Sequence, residues 1–189
     1  MTTDPHPWAT TLEGLHDQAW QRLIRGVADR RAPARHPTFA TLSPDGWPEA
    51  RTVVLRAADR ATAMIEVHTD IHSAKVAALQ ATPRAALHVW EAGAHLQIRL
   101  TTTVTILSGV DVAEAWARVP DPSRQSYGTQ PPPGQPIPTA LAYAKPGDPQ
   151  SFAVLRCAVQ AMDLVHLGPQ HRRARFARAD GWAGQWLAP

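Results

Sequence analysis

Two segments, Arg51-Thr52-Val53-Val54-Leu55-Arg56 and His68-Thr69-Asp70-Ile71-His72-Ser73-Ala74-Lys75, organise the interpretation of this sequence. The first has β-branched residues between two arginines, which predicts a half-buried strand whose ends reach solvent or a ligand. The second predicts a strand end followed by a helix that Asp70 or Ser73 can cap and that reaches about Ala81. Free N–H groups at that helix start, together with these cations, indicate a phosphate site. Ordinary charges at strand and helix ends are an equally good interpretation of the two segments alone.

Length and composition favour one domain over residues 1–189. The chain is 44% hydrophobic, which is enough for a single core. It has neither an apolar run of about 18 residues nor a signal pattern, so we expect a cytoplasmic protein without a membrane partner. The single Cys157 lies in an apolar run, which predicts a core side chain and a reducing compartment. A formal net charge of +3 and one short basic cluster predict no nucleic-acid partner.

The N-terminal region is predicted to be a tail followed by one amphipathic helix. We expect residues 1–10 to be flexible. Thr10 and Glu13 have the spacing of a capping box, and apolar residues recur at helical intervals after them. The sequence therefore predicts a helix over residues 11–29 that packs one face on the core.

The remainder of the chain is dominated by short extended runs. A Pro-Asp-Gly turn predicts an antiparallel hairpin between the first two runs. Residues 120–150 are rich in proline and predict a long covering loop, a lid or interface arm, with a short helix at Thr139–Tyr143. Many strands with few helices indicate a mainly β protein, a β-barrel with flanking helices. The predicted strands are Thr38–Leu42, the Arg51 segment, Met64–Thr69, Ala85–Glu91, Leu96–Leu107, Val154–Leu167, Arg173–Ala179 and Trp182–Leu187.

The order and spacing of several motifs resemble a known family, the pyridoxamine 5′-phosphate oxidase superfamily of FMN-binding split barrels. The resemblance covers roughly Thr38 to Pro189. It implies a six-stranded antiparallel split β-barrel and a homodimer with two FMN molecules at the interface. The motifs that carry it are Arg51–Arg56, His68-Thr69-Asp70 with Ser73 and Lys75, Gln97 at the start of a long strand, Arg175-Phe176, and Trp182 with Leu187-Ala188-Pro189.

The resemblance also implies a set of cofactor-binding residues. Arg51 and Lys75 are expected to hold the FMN phosphate. Arg56 and Gln97 are expected to approach the isoalloxazine ring, and Arg175 to contact the cofactor from the partner subunit or the far wall. The full set is Arg51, Thr52, Val53, Val54, Arg56, His68, Thr69, Ser73, Lys75, Gln97 and Arg175.

The substrate site departs from the pattern of the true oxidase. The resemblance places His171 and Arg173 where the oxidase presents an Arg and a His, and a segment that includes Arg124 replaces its phosphate-recognising loop. These three residues are the candidate substrate-binding residues, and no catalytic residue is predicted. The changes place the chain closer to the pyridoxamine-phosphate-oxidase-related FMN-binding proteins and count against pyridoxamine 5′-phosphate as the substrate.

The sequence therefore predicts an FMN-binding oxidoreductase that acts on a small molecule, and it leaves other functions open. One alternative is a non-catalytic flavin-binding or sensing protein. Another is a split barrel that binds haem or a deazaflavin. The nine histidines have no helical His-x-x-x-His pair with an acidic residue, so no metal site is predicted.

Overall fold

A computed structural model describes residues 6–189, and within that range nine strands form one antiparallel sheet flanked by helices. The predicted mainly β class is confirmed. The strand count exceeds six partly because the Arg51 segment belongs to two strands. The strands are β1 Thr38–Leu42, β2 Pro48–Thr52, β3 Leu55–Asp59, β4 Met64–Asp70, β5 Arg84–Glu91, β6 Leu96–Ser108, β7 Phe152–His166, β8 Arg172–Ala177 and β9 Gln185–Leu187. The α-helices are α1 Leu12–Ala28, α2 Ala74–Ala81, α3 Ala113–Ala117 and α4 Asp121–Arg124.

The strand order requires the sheet to curl into a barrel. The order is β2-β1-β5-β6-β7-β4-β3, with β8 beside β7 and β9 beside β8. Seven strands laid flat would separate β2 from β3 by roughly 29 Å, at about 4.8 Å per neighbour. Yet only Val53 and Val54 join those two strands, and so short a link spans at most roughly 11 Å. The two ends of the sheet must therefore lie close together.

The Arg51 segment, predicted to be one strand, is divided at this junction. β2 ends at Thr52 and pairs with β1, whereas β3 begins at Leu55 and pairs with β4. The side chain of Val53 is buried in the core, and its N–H donates to the Pro37 carbonyl. A run of β-branched residues suits both a strand and a buried crossing, so the sequence pattern could not distinguish them.

Helix α1 covers the barrel with one apolar face. Leu15, Trp20 and Leu23 are fully buried on that face, and each contributes about 1.5–3 kcal/mol by burial. Its capping residue is Thr11 rather than the predicted Thr10, because Thr11 accepts the N–H of Gly14 while Thr10 donates to the Pro7 carbonyl. Within residues 6–189, no helix combines the length and apolarity needed to cross a membrane.

Residues 7–10, predicted to belong to a flexible tail, are ordered into a short helix in the structure. Residues 1–5 of that tail lie outside the described range. Pro7–Thr10 forms a 3₁₀ helix in which Ala9 is fully buried. Proline at the first position favours such a turn, and the Arg22 guanidinium lies 5.2 Å from the Trp8 ring centroid, which ties the turn to α1.

The proline-rich segment after α4 runs as a loop up to the 3₁₀ helix Pro149–Ser151. The short helix predicted at Thr139–Tyr143 is wrong, since those residues form bends and turns. Proline removes backbone donors on both sides of the segment, which limits helix formation there. Paired hydrogen bonds between Gln130 and Ala144 close the base of the loop.

Candidate functional site

Four residues from both predicted segments form a polar cluster, here called the cationic cradle: Arg51, Thr69, Ser73 and Lys75. Lys75 Nζ donates to Thr69 Oγ1 at 2.9 Å and to Ser73 Oγ at 3.2 Å. The two hydroxyl oxygens are 3.2 Å apart, and both residues are largely buried. Arg51 enters from β2, where it donates to Thr41 Oγ1 and forms an ion pair with Glu49 at 2.6 Å.

The electrostatics of the cationic cradle favour an anion. Burial lowers the pKa of Lys75, and the nearby Arg51 charge lowers it further, while Asp70 opposes the shift. A lowered lysine pKa means that the charged ammonium is less stable at this position than in water. An anion next to Lys75 and Arg51 would supply that compensation through charge-assisted hydrogen bonds.

The start of α2 adds backbone donors to the cationic cradle. Ser73 occupies the N-cap position, as predicted, but its side chain does not cap the helix. Its hydroxyl donates instead to the Asp70 carbonyl at 2.8 Å. The first N–H groups of α2 thus have no side-chain cap and lie beside a buried ammonium, an arrangement suited to a phosphate.

A second group of cations surrounds a cavity of about 310 Å³ next to β3 and β4. Arg35, Arg56, Arg118 and His68 are among its lining residues. Burial lowers the pKa of His68 to about 4, with further lowering by Arg56 and Arg118. His68 is therefore neutral near pH 7, and the positive charge of the cavity comes from the arginines.

Arg56 also lies close to the proline-rich segment. Burial raises the pKa of Tyr127, and the nearby Arg56 charge partly opposes that rise. In the described part of the chain, only Arg56 Nε and Arg124 Nε are buried side-chain polar atoms without a hydrogen-bond partner. An unpaired buried donor is costly, so the Arg56 side chain, which lines the cavity, carries an unsatisfied hydrogen-bonding group.

The remaining predicted cofactor residues are not gathered at the cationic cradle within one chain. Thr69 pairs with Ala153 on β7, whereas Gln97 pairs with Val165 and Arg175 with Asp163. Ala153 and Val165 are twelve positions apart on β7, roughly 40 Å measured along an extended strand. Of the crossing residues, Thr52 is exposed, Val54 half-buried and Val53 in the core.

The three predicted substrate residues are also dispersed. Arg173 donates to both carboxylate oxygens of Asp163, from Nε at 3.1 Å and from Nη2 at 2.8 Å. His171 is exposed in the segment before β8. Burial raises the pKa of Asp163, but hydrogen bonds from Arg173 and Arg99 outweigh it, so the pKa is lowered. Arg124 lies in α4, paired with Asp121 and stacked over the Trp116 ring at 5.2 Å.

Sequence reasoning missed several residues of these two clusters. Thr41 accepts a hydrogen bond from Arg51. The cavity is lined by Arg35 and Arg118, and Tyr127 lies near Arg56. None has a sequence signal of its own, because each comes from a separate element that only the folded chain brings in. Among residues 6–189, no group of three or more His, Cys, Asp and Glu side chains is arranged to hold a metal ion. Burial raises the pKa of Cys157 to about 12, which suits a core thiol.

Comparison with known sequences gives a consistent family. Residues 6–108, a little over half of the chain, match the family described as pyridoxamine 5′-phosphate oxidase, FMN-binding domain. A pyridoxine/pyridoxamine 5′-phosphate oxidase of Microcystis aeruginosa is 40% identical over 88 residues, which are 47% of this chain and 40% of that protein. Pyridoxine/pyridoxamine 5′-phosphate oxidase 2 of Arabidopsis thaliana is 30% identical over 73 residues, 37% of each chain. The matches thus span about two fifths of these relatives.

Comparison with solved structures supports the same fold. A pyridoxamine 5′-phosphate oxidase-related, FMN binding protein from Nostoc punctiforme aligns over 100% of both chains with a TM-score of 0.75 and 25% identity. PhzG from Burkholderia lata, solved with tetrahydrophenazine-1-carboxylic acid, aligns over 98% of this chain and 94% of its own with a TM-score of 0.68. At 18% identity, PhzG supports the fold alone.

Proposed function

Because this chain belongs to the pyridoxamine 5′-phosphate oxidase FMN-binding family, we propose that it is an FMN-dependent oxidoreductase acting on a small molecule. The observation that carries the proposal is the cationic cradle, in which Lys75 is held by Thr69 and Ser73 beside Arg51. These residues would hold the FMN phosphate. Lys75 has one further N–H for it, and the start of α2 adds backbone donors.

A second copy of the chain would complete the cofactor site. The cationic cradle lies beside one end of β7, whereas Gln97 and Arg175 pair with residues near its other end, so one chain does not bring these groups together along that strand. We propose that a homodimer brings Gln97 and Arg175 of one copy to the cationic cradle of the other. We propose a groove of about 400 Å³, whose lining includes Ala40, Ala86 and Thr101, as part of the surface for that contact.

Arg56 is the residue proposed to act on the flavin ring. FMN, when bound, supplies two-electron redox chemistry. The Arg56 guanidinium would lie near the ring edge and stabilise negative charge there. Arg56 lines the cavity next to β3 and β4, and its guanidinium would supply the donor for that contact.

The cavity beside Arg56 supports a small anionic substrate. Arg35 and Arg118 add positive charge to its wall. Glu66, which also lines the cavity, has its carboxylate paired with Arg156 at 2.9 Å. Neutral His68 adds a hydrogen-bonding ring without further charge. The names of two relatives, which refer to pyridoxine and pyridoxamine 5′-phosphate, illustrate one class of small anionic substrate. Here Arg173, one of the expected anchors, is occupied by Asp163, which disfavours that particular substrate.

The decisive experiment is cofactor binding by the purified protein, read from its absorption spectrum. We expect FMN to bind with a flavin spectrum at micromolar or lower concentration, and riboflavin to bind at least about thirtyfold more weakly because it lacks the phosphate. Bleaching of bound FMN by NAD(P)H, or oxygen consumption with an amine, would then separate an enzyme from a non-catalytic flavin carrier. A haem spectrum, or equal affinity for riboflavin and FMN, would refute the proposed cofactor site.

A further inference from the structure

Asp70, the last residue of β4, is a buried carboxylate that bonds two distant parts of the chain. Only 5% of Asp70 is exposed. Its Oδ1 accepts the backbone N–H of His72 at 2.8 Å, inside the turn that carries the cationic cradle. Its Oδ2 accepts the backbone N–H of Gly128 at 2.7 Å, in the proline-rich segment. Oδ1 also lies 3.2 Å from His72 Nδ1. A buried carboxylate with a bond on each oxygen restrains both partners, because leaving either oxygen unpaired would be costly.

The Gly128 end of this link lies next to a buried tyrosine near Arg56. Gly128 follows Tyr127, which is 4% exposed and whose pKa is raised by burial and partly lowered by the nearby Arg56 charge. Gly128 has φ +84°, and a Cβ there would lie 2.6 Å from the Asp148 side chain, so only glycine fits. The Asp148 N–H donates to the Tyr127 carbonyl at 3.1 Å. The backbone at residues 127 and 128 is thus held between Asp70 and Asp148.

The His72 end leads to the cationic cradle. The Asp70 carbonyl accepts the Ser73 hydroxyl at 2.8 Å, and that hydroxyl also accepts a hydrogen bond from Lys75. Any ligand that engages Lys75 and Ser73 therefore acts on the turn from residue 70 to residue 73. Asp70 is the side chain through which that turn contacts residue 128.

We propose that Asp70 is a positioning residue that couples cofactor phosphate binding to the placement of Tyr127 and Arg56 at the flavin ring. The proposal rests on the proposed function, since it takes the cationic cradle as the FMN phosphate site. A bound phosphate fixes the 70–73 turn, the carboxylate transmits that order to Gly128, and the adjacent Tyr127 is thereby placed beside Arg56. Cofactor binding and the assembly of the substrate cavity are thereby one event.

Hydrogen exchange with two matched ligands tests this coupling. FMN should slow amide exchange at residues 127–130 of the wild-type protein by about tenfold or more, the equivalent of one charge-assisted hydrogen bond. Riboflavin, at saturating concentration, should slow it by less than about twofold, since it has no phosphate to engage the cradle. In Asp70→Ala, FMN should still bind through Arg51 and Lys75, but the protection of residues 127–130 should disappear.

Three further variants separate positioning from general structure. His72→Ala is the matched control. It keeps the backbone N–H that Asp70 Oδ1 accepts and removes only the 3.2 Å contact of His72 Nδ1 with that oxygen, so it should retain the protection. Gly128→Ala disturbs the opposite end of the link and should lose it. Arg56→Ala provides a spectroscopic reference: the spectrum of FMN bound to Asp70→Ala should shift toward that of FMN bound to Arg56→Ala. If Asp70→Ala does not fold, Asp70→Asn keeps the volume and one acceptor oxygen.

The possible results are distinct. Protection by FMN that survives in Asp70→Ala, or equal protection by FMN and riboflavin, would overturn the coupling while leaving the cofactor proposal intact. Absence of flavin binding by the wild-type protein would overturn the proposed function and this inference with it. Loss of protection in Asp70→Ala and Gly128→Ala, with retention in His72→Ala, is the result that we expect.

Discussion

Replacement of Lys75 by methionine tests the cationic cradle most directly. Methionine keeps most of the length and apolar volume of the lysine stem but removes the ammonium. The substitution deletes the hydrogen bonds from Nζ to Thr69 and Ser73, and it leaves Arg51 as the side-chain cation of the cradle. The hydroxyls keep each other as partners at 3.2 Å, so little else in the cradle should change.

The expected loss of FMN affinity is about 2–4 kcal/mol, or about 30- to 700-fold. This range follows from the cost of removing one partner from a desolvated, hydrogen-bonded charge pair. The effect on the protein without FMN has a different sign. Burial and the Arg51 charge already lower the pKa of Lys75, so the charged lysine is unfavourable in the empty cradle. The free energy of unfolding of the apo protein should therefore stay within about 1 kcal/mol or rise.

The assay is fluorescence titration of apo protein with FMN and with riboflavin, together with thermal unfolding. Lys145 is the only other lysine in the chain and lies in the exposed loop over the Tyr143 ring, so Lys145→Met is the matched control. That variant should bind FMN as the wild type does. Riboflavin affinity should be nearly the same in all three proteins, because riboflavin has no phosphate.

Wild-type FMN affinity in Lys75→Met would refute the assignment of the cradle to the phosphate. An equal loss of FMN and riboflavin affinity would also refute it, because the lysine would then act on the ring or on folding. A large drop in apo stability would contradict the electrostatic reasoning about the empty cradle.

Four other outcomes are expected. Burial lowers the pKa of Lys75, so FMN affinity should begin to weaken at a pH below 10.5, the ordinary lysine pKa, as the ammonium loses its proton. Lys75→Met should lack this dependence when FMN titrations are repeated over a series of pH values. Burial lowers the pKa of His68 from 6.5 in the unfolded chain to about 4 in the folded protein, so the unfolded chain is protonated first on acidification. The free energy of unfolding should therefore drop by about 1–2 kcal/mol between pH 6.5 and pH 4, after allowance for solvent screening. His68→Phe should flatten this dependence in denaturation curves measured over a series of pH values. Removal of FMN should weaken the homodimer, and sizing of apo and holo protein at low concentration checks this; a monomer with full FMN affinity would contradict the shared site. Oxidation of pyridoxamine 5′-phosphate should be at least about a hundredfold less efficient than in a true oxidase, which corresponds to about 3 kcal/mol in transition-state binding. Turnover at ordinary oxidase rates, under air with saturating FMN, would show instead that His171 and Arg173 form a working anchor.

Local signals in the sequence were enough for most elements and for Thr69, Ser73 and Lys75 of the cationic cradle, whereas Arg51 was assigned to the same phosphate through the family resemblance. The hairpin of β1 and β2 followed from a Pro-Asp-Gly turn between two extended runs, and the pairing of Thr38 with Thr52 agrees with it. Ser73 and Lys75 lie in one helical turn, and Thr69 ends the strand before it. Residues so close along the chain meet whatever the rest of the fold does, so their grouping was predictable.

Other features depend on contacts between residues far apart in the chain, and only the tertiary structure decided them. The break at Val53 and Val54 follows from closure of the sheet, which no local pattern records. Arg173 looked like a free anchor until the register of β7 and β8 placed it on Asp163. The bond from Asp70 to Gly128 likewise joins residues 58 positions apart. A sequence determines which side chains can donate, accept or carry charge, but strand register and closure determine which of them meet, and those depend on the packing of the whole core.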